Sequence, residues 1–304
     1  MNNLPFDKPG QFWKTNLHSH TTRSDGKLTP SELATLYRDR GYHALAITDH
    51  FLDRFGFPIV DTTGFRTENF TTLLGAELHG PGLMLGDWHI LAVGLPPDFA
   101  PATNGETGPE IARRASDAGA FVALAHPAWY SLFFEKAKEI DFADAIEVFN
   151  TTCLYDNDRG ESWYLADQFL MTGRRPFAIA TDDAHCSLRP DTFGGWTMIK
   201  SASLDPESLL AALKAGAFYA STGPDIHNVA VEGDKLIVEC SPARTIYATG
   251  AGALHKDVGG TGITRAEFDI EPFTQSYARI TILAEDGKAW SNPIFFDQGP
   301  APKS

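Results

Sequence analysis

The strongest constraint on this chain is where its histidines stand. Eight of the ten lie between His18 and His185, and most of these close a short apolar or β-branched run of the kind that forms strands. Such runs occupy residues 13–17, 44–48, 72–77, 89–93, 121–125, 145–149 and 177–181, with 196–200 a further candidate. Amphipathic segments with helix signals lie between several of them. Thr29-Pro30-Ser31-Glu32 reads as a capping box with proline at the first helical position, followed by Leu33, Leu36 and Tyr37 and a stop near Gly41. Asp205-Pro206 opens a similar helix closed by Gly216. Residues 162–170 space Trp163, Leu165, Ala166, Phe169 and Leu170 at helical intervals. Strands alternating with helices predict an α/β domain on a mostly parallel sheet or barrel, in which strand-end side chains from distant parts of the sequence converge on one mouth.

The strand ends carry ligand chemistry. The first ends in Leu17-His18-Ser19-His20, followed by Ser24-Asp25-Gly26, the second in Thr48-Asp49-His50 and the third in Gly75-Ala76-Glu77. The fifth ends in Ala125-His126-Pro127 and the seventh in Thr181-Asp182-Asp183-Ala184-His185. Alternate residues of an extended strand point the same way, so His18 and His20 can bind one ion together, and Glu77 can bridge two ions through its two oxygens. A His, Asp and Glu set without thiolate suits Zn²⁺, Mn²⁺ or Fe²⁺. Such a centre would deprotonate a bridging water and neutralise charge on a scissile group. His89 begins its run yet is assigned to the site. His79, two residues past Glu77, shares its face if the strand continues, but Gly80-Pro81-Gly82 breaks that extension, so it is left undecided. Asp49, alternating away from His50, is expected to satisfy backbone or orient a ligand. His43, His227 and His255 are placed outside the site.

Composition narrows the partners. With 39 acidic against 25 basic side chains the formal charge is −14, which repels phosphate backbones and anionic membrane surfaces. A small-molecule substrate is expected, with no nucleic-acid and no membrane partner; the oligomeric state is not legible. Cys153, Cys186 and Cys240 are odd in number and lack CxxC spacing, as free thiols of a cytoplasmic protein would be. The N-terminus lacks a basic flank followed by an apolar run, and no stretch approaches the ~18 apolar residues of a membrane span. After Ser221 the helix signals stop. Residues 235–240, 245–248, 266–270 and 278–284 form short alternating runs between turns, a small all-β module. The boundary falls in the turn at 221–224, dividing the chain into residues 1–224 and 225–304, two units expected to pack together.

Taken in order, HSHTTRSDG (18–26), ITDHF (47–51), GAELHG (75–80), AHP (125–127), IEVFN (146–150) and DDAH (182–185) resemble the PHP family, the polymerase and histidinol phosphatase domains, from about residue 13 to 221. The resemblance implies a distorted seven-stranded (β/α) barrel holding two or three divalent metal ions, with hydrolysis of phosphate esters the commonest activity. The junction GAFYASTGP (216–224) looks like that of the branch with a C-terminal, sandwich-like β domain, in which some relatives hydrolyse carbamates or other esters. The expected protein is thus a phosphoesterase acting on a small molecule, in which a metal-bound hydroxide attacks phosphorus. The alternative is a carboxyl ester, carbamate or amide hydrolase with the same centre.

By position, His18 and His20 would hold the first metal, with Glu77 bridging to a second bound by Asp25 and His50. His89, His126 and His185 match positions that hold a third metal or face the substrate, and His126 or His185 could protonate the leaving group. One departure stands out. Where many relatives have Ser-Asp-x-His, this chain has Thr-Asp182-Asp183-Ala-His185: matching from the histidine selects Asp183, and matching from the strand end selects Asp182. Ligands immediately at strand ends favour Asp182. Arg23, between His20 and Asp25, could clamp a substrate anion or stay solvated, and Asn150 could contact substrate or cap a turn.

Overall fold

The computed structural model describes residues 4–84 and 86–296. The first half runs β1 (Gln11–Asn16), α1 (Pro30–Asp39), β2 (Ala44–Ile47), β3 (His50–Phe51), β4 (Thr71–Gly80), β5 (Trp88–Val93), α2 (Gly108–Asp117), β6 (Phe121–Leu124), α3 (Phe134–Ala137) and β7 (Ala145–Asn150). It continues through α4 (Thr151–Asn157), α5 (Trp163–Met171), β8 (Phe177–Thr181), β9 (Trp196–Ser201), α6 (Pro206–Lys214) and β10 (Phe218–Ser221). The remainder is β11 (Ile226–Glu232), β12 (Lys235–Thr249), β13 (His255–Asp269), β14 (Tyr277–Leu283), β15 (Lys288–Ser291) and β16 (Ile294–Phe295). Among the described residues no helix is long and apolar enough to cross a membrane.

Local chemistry explains the helices. In α1 the Thr29 hydroxyl accepts from Glu32 N at 3.4 Å while the Glu32 carboxylate accepts from Thr29 N at 2.8 Å, so two otherwise unpaired end groups satisfy each other. Leu33, Ala34 and Tyr37 form the face it buries. The same device opens α2, where Thr107 and Glu110 cap reciprocally and Pro109 sits in the first turn.

The strands form a mixed sheet. β1, β2 and β4 are parallel, as are β6, β7 and β8, but β5 runs antiparallel to both β4 and β6. Residues 81–87 are too short for the crossover that a parallel partner needs, so β5 must reverse. Alternation along β5 sends Leu91 and Val93 to a core shared with Leu209 and Leu213 of α6. Ile90 and Ala92 go to the opposite core under α2 and α5.

The seven-stranded barrel of the sequence reading is not what the ladders draw, for the sheet is open, with β8 at one end and β11 at the other. The reason is that β9 occupies the free edge of β1, pairing antiparallel from Gln11↔Ser201 to Thr15↔Thr197. β8 still returns beside β1. His20 N donates to Ala184 O at 2.8 Å, and higher in the seam side chains replace a ladder, Asp182 N donating to Asn16 Oδ1 at 3.0 Å and Thr197 Oγ1 to Ala180 O at 3.0 Å.

The strands after Ser221 continue the same sheet, because β15 pairs with β10 from Tyr219↔Ser291 to Ser221↔Ala289. The runs at 235–240 and 245–248 belong to one long strand, β12. The Ser241-Pro242 segment between them is a bulge against β13, an irregularity that tolerates a proline without a donor.

Candidate metal centre

Glu77 lies at the middle of the mouth with its carboxylate fully buried. Its Oε1 is 2.8 Å from His89 Nδ1 and 3.1 Å from His126 Nε2. Its Oε2 is 2.6 Å from His50 Nδ1, 3.6 Å from His20 Nε2 and 3.7 Å from His18 Nε2. Asp183 faces it across the cluster, with Oδ1 2.9 Å from His20 Nε2 and 3.4 Å from His18 Nε2. Asp25 closes the outer side, 3.3 Å from His50 Nε2 and 3.5 Å from His185 Nε2. A cavity of about 620 Å³ opens onto Glu77, His89, His126 and Asp183.

The reversal of β5 explains why a histidine at the start of its run joins residues from the ends of others. His79 joins as well, 2.8 Å from His50 Nδ1, because β4 stays extended through Gly80 and keeps residues 77 and 79 on one face. Two ligands sit where the chain turns sharply. His126 has φ 27° and Asp183 φ 56°, a region that asparagine, aspartate and histidine enter more readily than most residues.

The protonation pattern suits a cation. Burial opposes ionisation of Glu77, but His50, His89 and His79 around it hold its carboxyl well below the usual range. Asp183 is likewise low despite burial, through His18, His20 and His185. Burial, reinforced by His185 and His50, pushes His20 down to about 3, and burial against the pull of Glu77 leaves His89 at about 4. Metal ligands must be ionised carboxylates and neutral imidazoles, and these four residues are. Against their burial, however, the neighbouring carboxylates hold His18 well above the ordinary imidazole range, His50 at about 10 and His126 raised, so these three would have to shed protons for a cation to bind. Within the cluster five buried atoms, His18 Nε2, both ring nitrogens of His20, His126 Nδ1 and Glu77 Oε2, make no well-aligned hydrogen bond, although Glu77 Oε2 and His20 Nε2 stand within ion-pair distance of His50 and Asp183. Buried polar atoms are rarely left so. Ligand atoms within 4.8 Å of one another form overlapping sets, among them His20, Asp25, His50 and His185; His18, His126 and Asp183; and His18, His20 and Glu77. The residues fit divalent ions.

No protein-family model matches the sequence, and no curated protein matches it. Solved structures do. A two-domain protein from Bacteroides vulgatus, containing a predicted PHP-like metal-dependent phosphoesterase, aligns with 95% of this chain and 98% of its own at a TM-score of 0.54 and 14% identity. The fold is PHP-like. Looser alignments exist to a metal-dependent phosphoesterase from Bifidobacterium adolescentis (TM-score 0.45, 17% identity, 58% of this chain and 89% of that one) and to an amidohydrolase from Chromobacterium violaceum with bound sulfate (TM-score 0.38, 16% identity, 56% and 87%).

Within this PHP-like fold His18, His20, Asp25, His50, Glu77, His89, His126, Asp183 and His185 come together, while Asp182 does not. Its Oδ1 accepts from Gly194 N at 2.8 Å, Gly195 N at 3.0 Å and Thr151 Oγ1 at 3.0 Å, and its Oδ2 from Tyr37 Oη at 2.7 Å and Phe193 N at 2.8 Å. The preference for Asp182 is corrected: its oxygens are saturated by structural donors, and the turn at residue 183 brings the second aspartate round to the histidines. Arg23 is exposed and does not line the cavity. Asn150 is buried, caps α4 through Cys153 N at 2.8 Å and donates to Asp183 Oδ2 at 3.2 Å, which positions that carboxylate. Asp49 accepts from Thr21 N and Thr21 Oγ1, each at 2.7 Å, fixing the loop that carries Asp25. His43 accepts from Lys14 N, away from the cluster, and His227 and His255 are exposed.

Glu147 had no role in the sequence reading, although it stands in the IEVFN motif. It is fully buried, 2.9 Å from His18 Nδ1, and accepts from His126 N at 2.6 Å and Asn150 Nδ2 at 3.0 Å. It fixes the orientation of one ligand and the backbone of another. The available signal was a glutamate inside an apolar strand, where a charge is rarely tolerated without partners.

Proposed function

We propose that the protein is a metal-dependent hydrolase of the PHP family, most suited to hydrolysing a small-molecule phosphate ester. Residues 1–224 would form its catalytic unit and residues 225–304 its bracing β unit. The observation that carries this reading is Glu77, a buried ionised carboxylate shared by three overlapping ligand sets, one of whose oxygens makes no well-aligned hydrogen bond. Glu77 would bridge two ions, with His18, His20 and Asp183 on one side and Asp25, His50 and His185 on the other, and His89 and His126 able to complete a third position. Two or three Zn²⁺, Mn²⁺ or Fe²⁺ ions so held would supply Lewis acidity and lower the pKa of a bound water.

The chain's own groups do the remainder. Asn150 and Glu147 hold Asp183 and His18 in place, so little reorganisation is needed as charge develops. His126 and His185 line the cavity together with His50 and His89, and either could hand a proton to a departing alkoxide when free of a cation. Lys27 and Arg189 line the cavity, but Arg189 is paired with Asp156 and five carboxylates line it as well, so an anionic substrate would depend on bound cations for its attraction.

The test is steady-state turnover of paired phosphate and carboxylate esters by protein stripped of metal and reconstituted with Mn²⁺, Zn²⁺ or Fe²⁺. Phosphate ester hydrolysis that chelator abolishes is expected. Faster hydrolysis of the carboxyl ester, carbamate or amide partner moves the assignment to that chemistry, and full activity without metal refutes both.

A further inference from the structure

The rim of the cavity carries a device that the ligand cluster does not require. Trp129 follows β6 and stands over the mouth, its ring centre 5.4 Å from that of His126 and 5.5 Å from that of His89. It is pinned at both ends. The indole N–H donates to Asp156 Oδ2 at 3.0 Å, and the Trp129 carbonyl accepts from Asn157 Nδ2 at 3.2 Å and Arg159 Nη1 at 3.4 Å. The other oxygen of Asp156 pairs with Arg189, so one carboxylate ties the indole to the loop beyond β8. Trp129, Asp156 and Arg189 all line the cavity.

A half-buried indole locked in one orientation offers a flat apolar face and has little freedom left to lose when a ligand covers it. The ring lies beside the cluster and lines the same cavity as Glu77 and Asp183, within the space open to the leaving group of an ester centred on them. The geometry points to a substrate whose leaving alcohol bears a flat aromatic or heteroaromatic ring, stacked on Trp129 while the phosphate meets the cluster. This rests on the phosphoesterase reading above. Trp129 is then a specificity-determining residue, and Asp156 a positioning residue that acts through it.

The test compares two phosphonates of one headgroup on the full Mn²⁺-loaded chain by calorimetry. Benzylphosphonate is expected to bind about tenfold more tightly than ethylphosphonate, the scale of one aromatic stacking contact with its buried area. Trp129→Ala should erase that preference, and Trp129→Phe, which keeps a ring, should retain most of it. Asp156→Ala should weaken the preference severalfold, whereas Asp156→Asn, which keeps an acceptor for the indole, should not. No preference in the wild type, a preference intact in Trp129→Ala, or no binding of either phosphonate overturns the inference. Turnover of benzyl phosphate is read alongside. A protein that prefers benzylphosphonate through Trp129 yet leaves benzyl phosphate uncleaved keeps the wall and refutes the phosphoesterase reading.

Discussion

At the mouth of the sheet, His18 Nε2, both nitrogens of His20 and Glu77 Oε2 are buried without a well-aligned hydrogen bond. Where the C-terminal strands meet the helices, most polar groups are paired, the buried Trp163 Nε1 being an exception. Asp167 on α5 accepts from Tyr277 Oη at 3.0 Å and from Arg279 Nε and Nη2 at 2.9 and 2.8 Å, and the Arg279 guanidinium lies 4.2 Å over the Trp163 ring. Asn292 accepts from Ala178 N and donates to Gly216 O and Phe218 O. An unsatisfied buried polar group costs about 1–3 kcal/mol, so a region shaped for stability alone closes its hydrogen bonds. The open atoms at the mouth are what the proposed metal centre would use. The same contrast separates two adjacent residues, since Asp182 is closed by five donors and Asp183 faces the open cluster.

Glu77→Gln should break the comparison most severely. The amide keeps size but removes the charge that holds cations together, so turnover should fall by at least ~10³-fold and metal content should drop, as elemental analysis would show. Wild-type turnover with normal metal would remove Glu77 from the centre. The adjacent aspartates sharpen the contrast further. Asp183→Asn should lose metal and about 10²-fold in activity while melting near the wild-type temperature. Asp182→Asn should do the opposite, retaining metal but losing ~1–3 kcal/mol of stability, because its new NH₂ faces donors that need an acceptor. Chemical denaturation with parallel metal analysis distinguishes the two, and metal loss confined to Asp182→Asn would reverse the assignment.

Much of the mouth was legible because strand-end position and residue type do not depend on how the sheet closes. His18, His20, His50, Glu77 and His126 are found together for that reason. What escaped depended on conformation. Strict alternation could not anticipate that residue 183 leaves the extended region, and Gly80-Pro81-Gly82 looked like an earlier break than β4 makes, which left His79 undecided. The open sheet was hidden because pairing of β9 with the far edge of β1 is a contact between residues nearly two hundred positions apart. Helix α2 escaped differently: Thr107-Gly-Pro-Glu110 carries the capping chemistry read at Thr29-Pro-Ser-Glu32 and was overlooked.

A smaller effect is expected at the closed joint. Arg279→Ala removes two charge-assisted hydrogen bonds to Asp167 and the contact with Trp163, at a cost of about 1.5–3 kcal/mol in unfolding free energy measured with urea. The proposed ligands all lie before Ser221, so metal content and turnover per folded molecule should be unchanged. A variant of normal stability that lost metal would show that the joint serves the mouth and not the fold.

The smallest effects belong to the remaining histidines of the C-terminal strands. His227 and His255 are exposed, and His255 Nδ1 lies 3.0 Å from the carbonyl of its near neighbour Ala253, so neither side chain is committed to a buried contact. Among the described residues no ligand set includes either of them. Replacing each with alanine should leave turnover within about threefold of wild type, under ~1 kcal/mol in transition-state terms, with metal content intact. Deleting the whole segment would be a poorer test, because β15 pairs with β10 and the buried Trp290 ring packs 6.0 Å from that of Phe149, next to Asn150. Truncation would therefore disturb Asp183 through its neighbours even if the segment had no chemistry of its own. If either histidine substitution abolished metal binding while circular dichroism stayed native, the open atoms at the mouth would have a partner in the C-terminal strands, and the division between a working mouth and a bracing joint would fail.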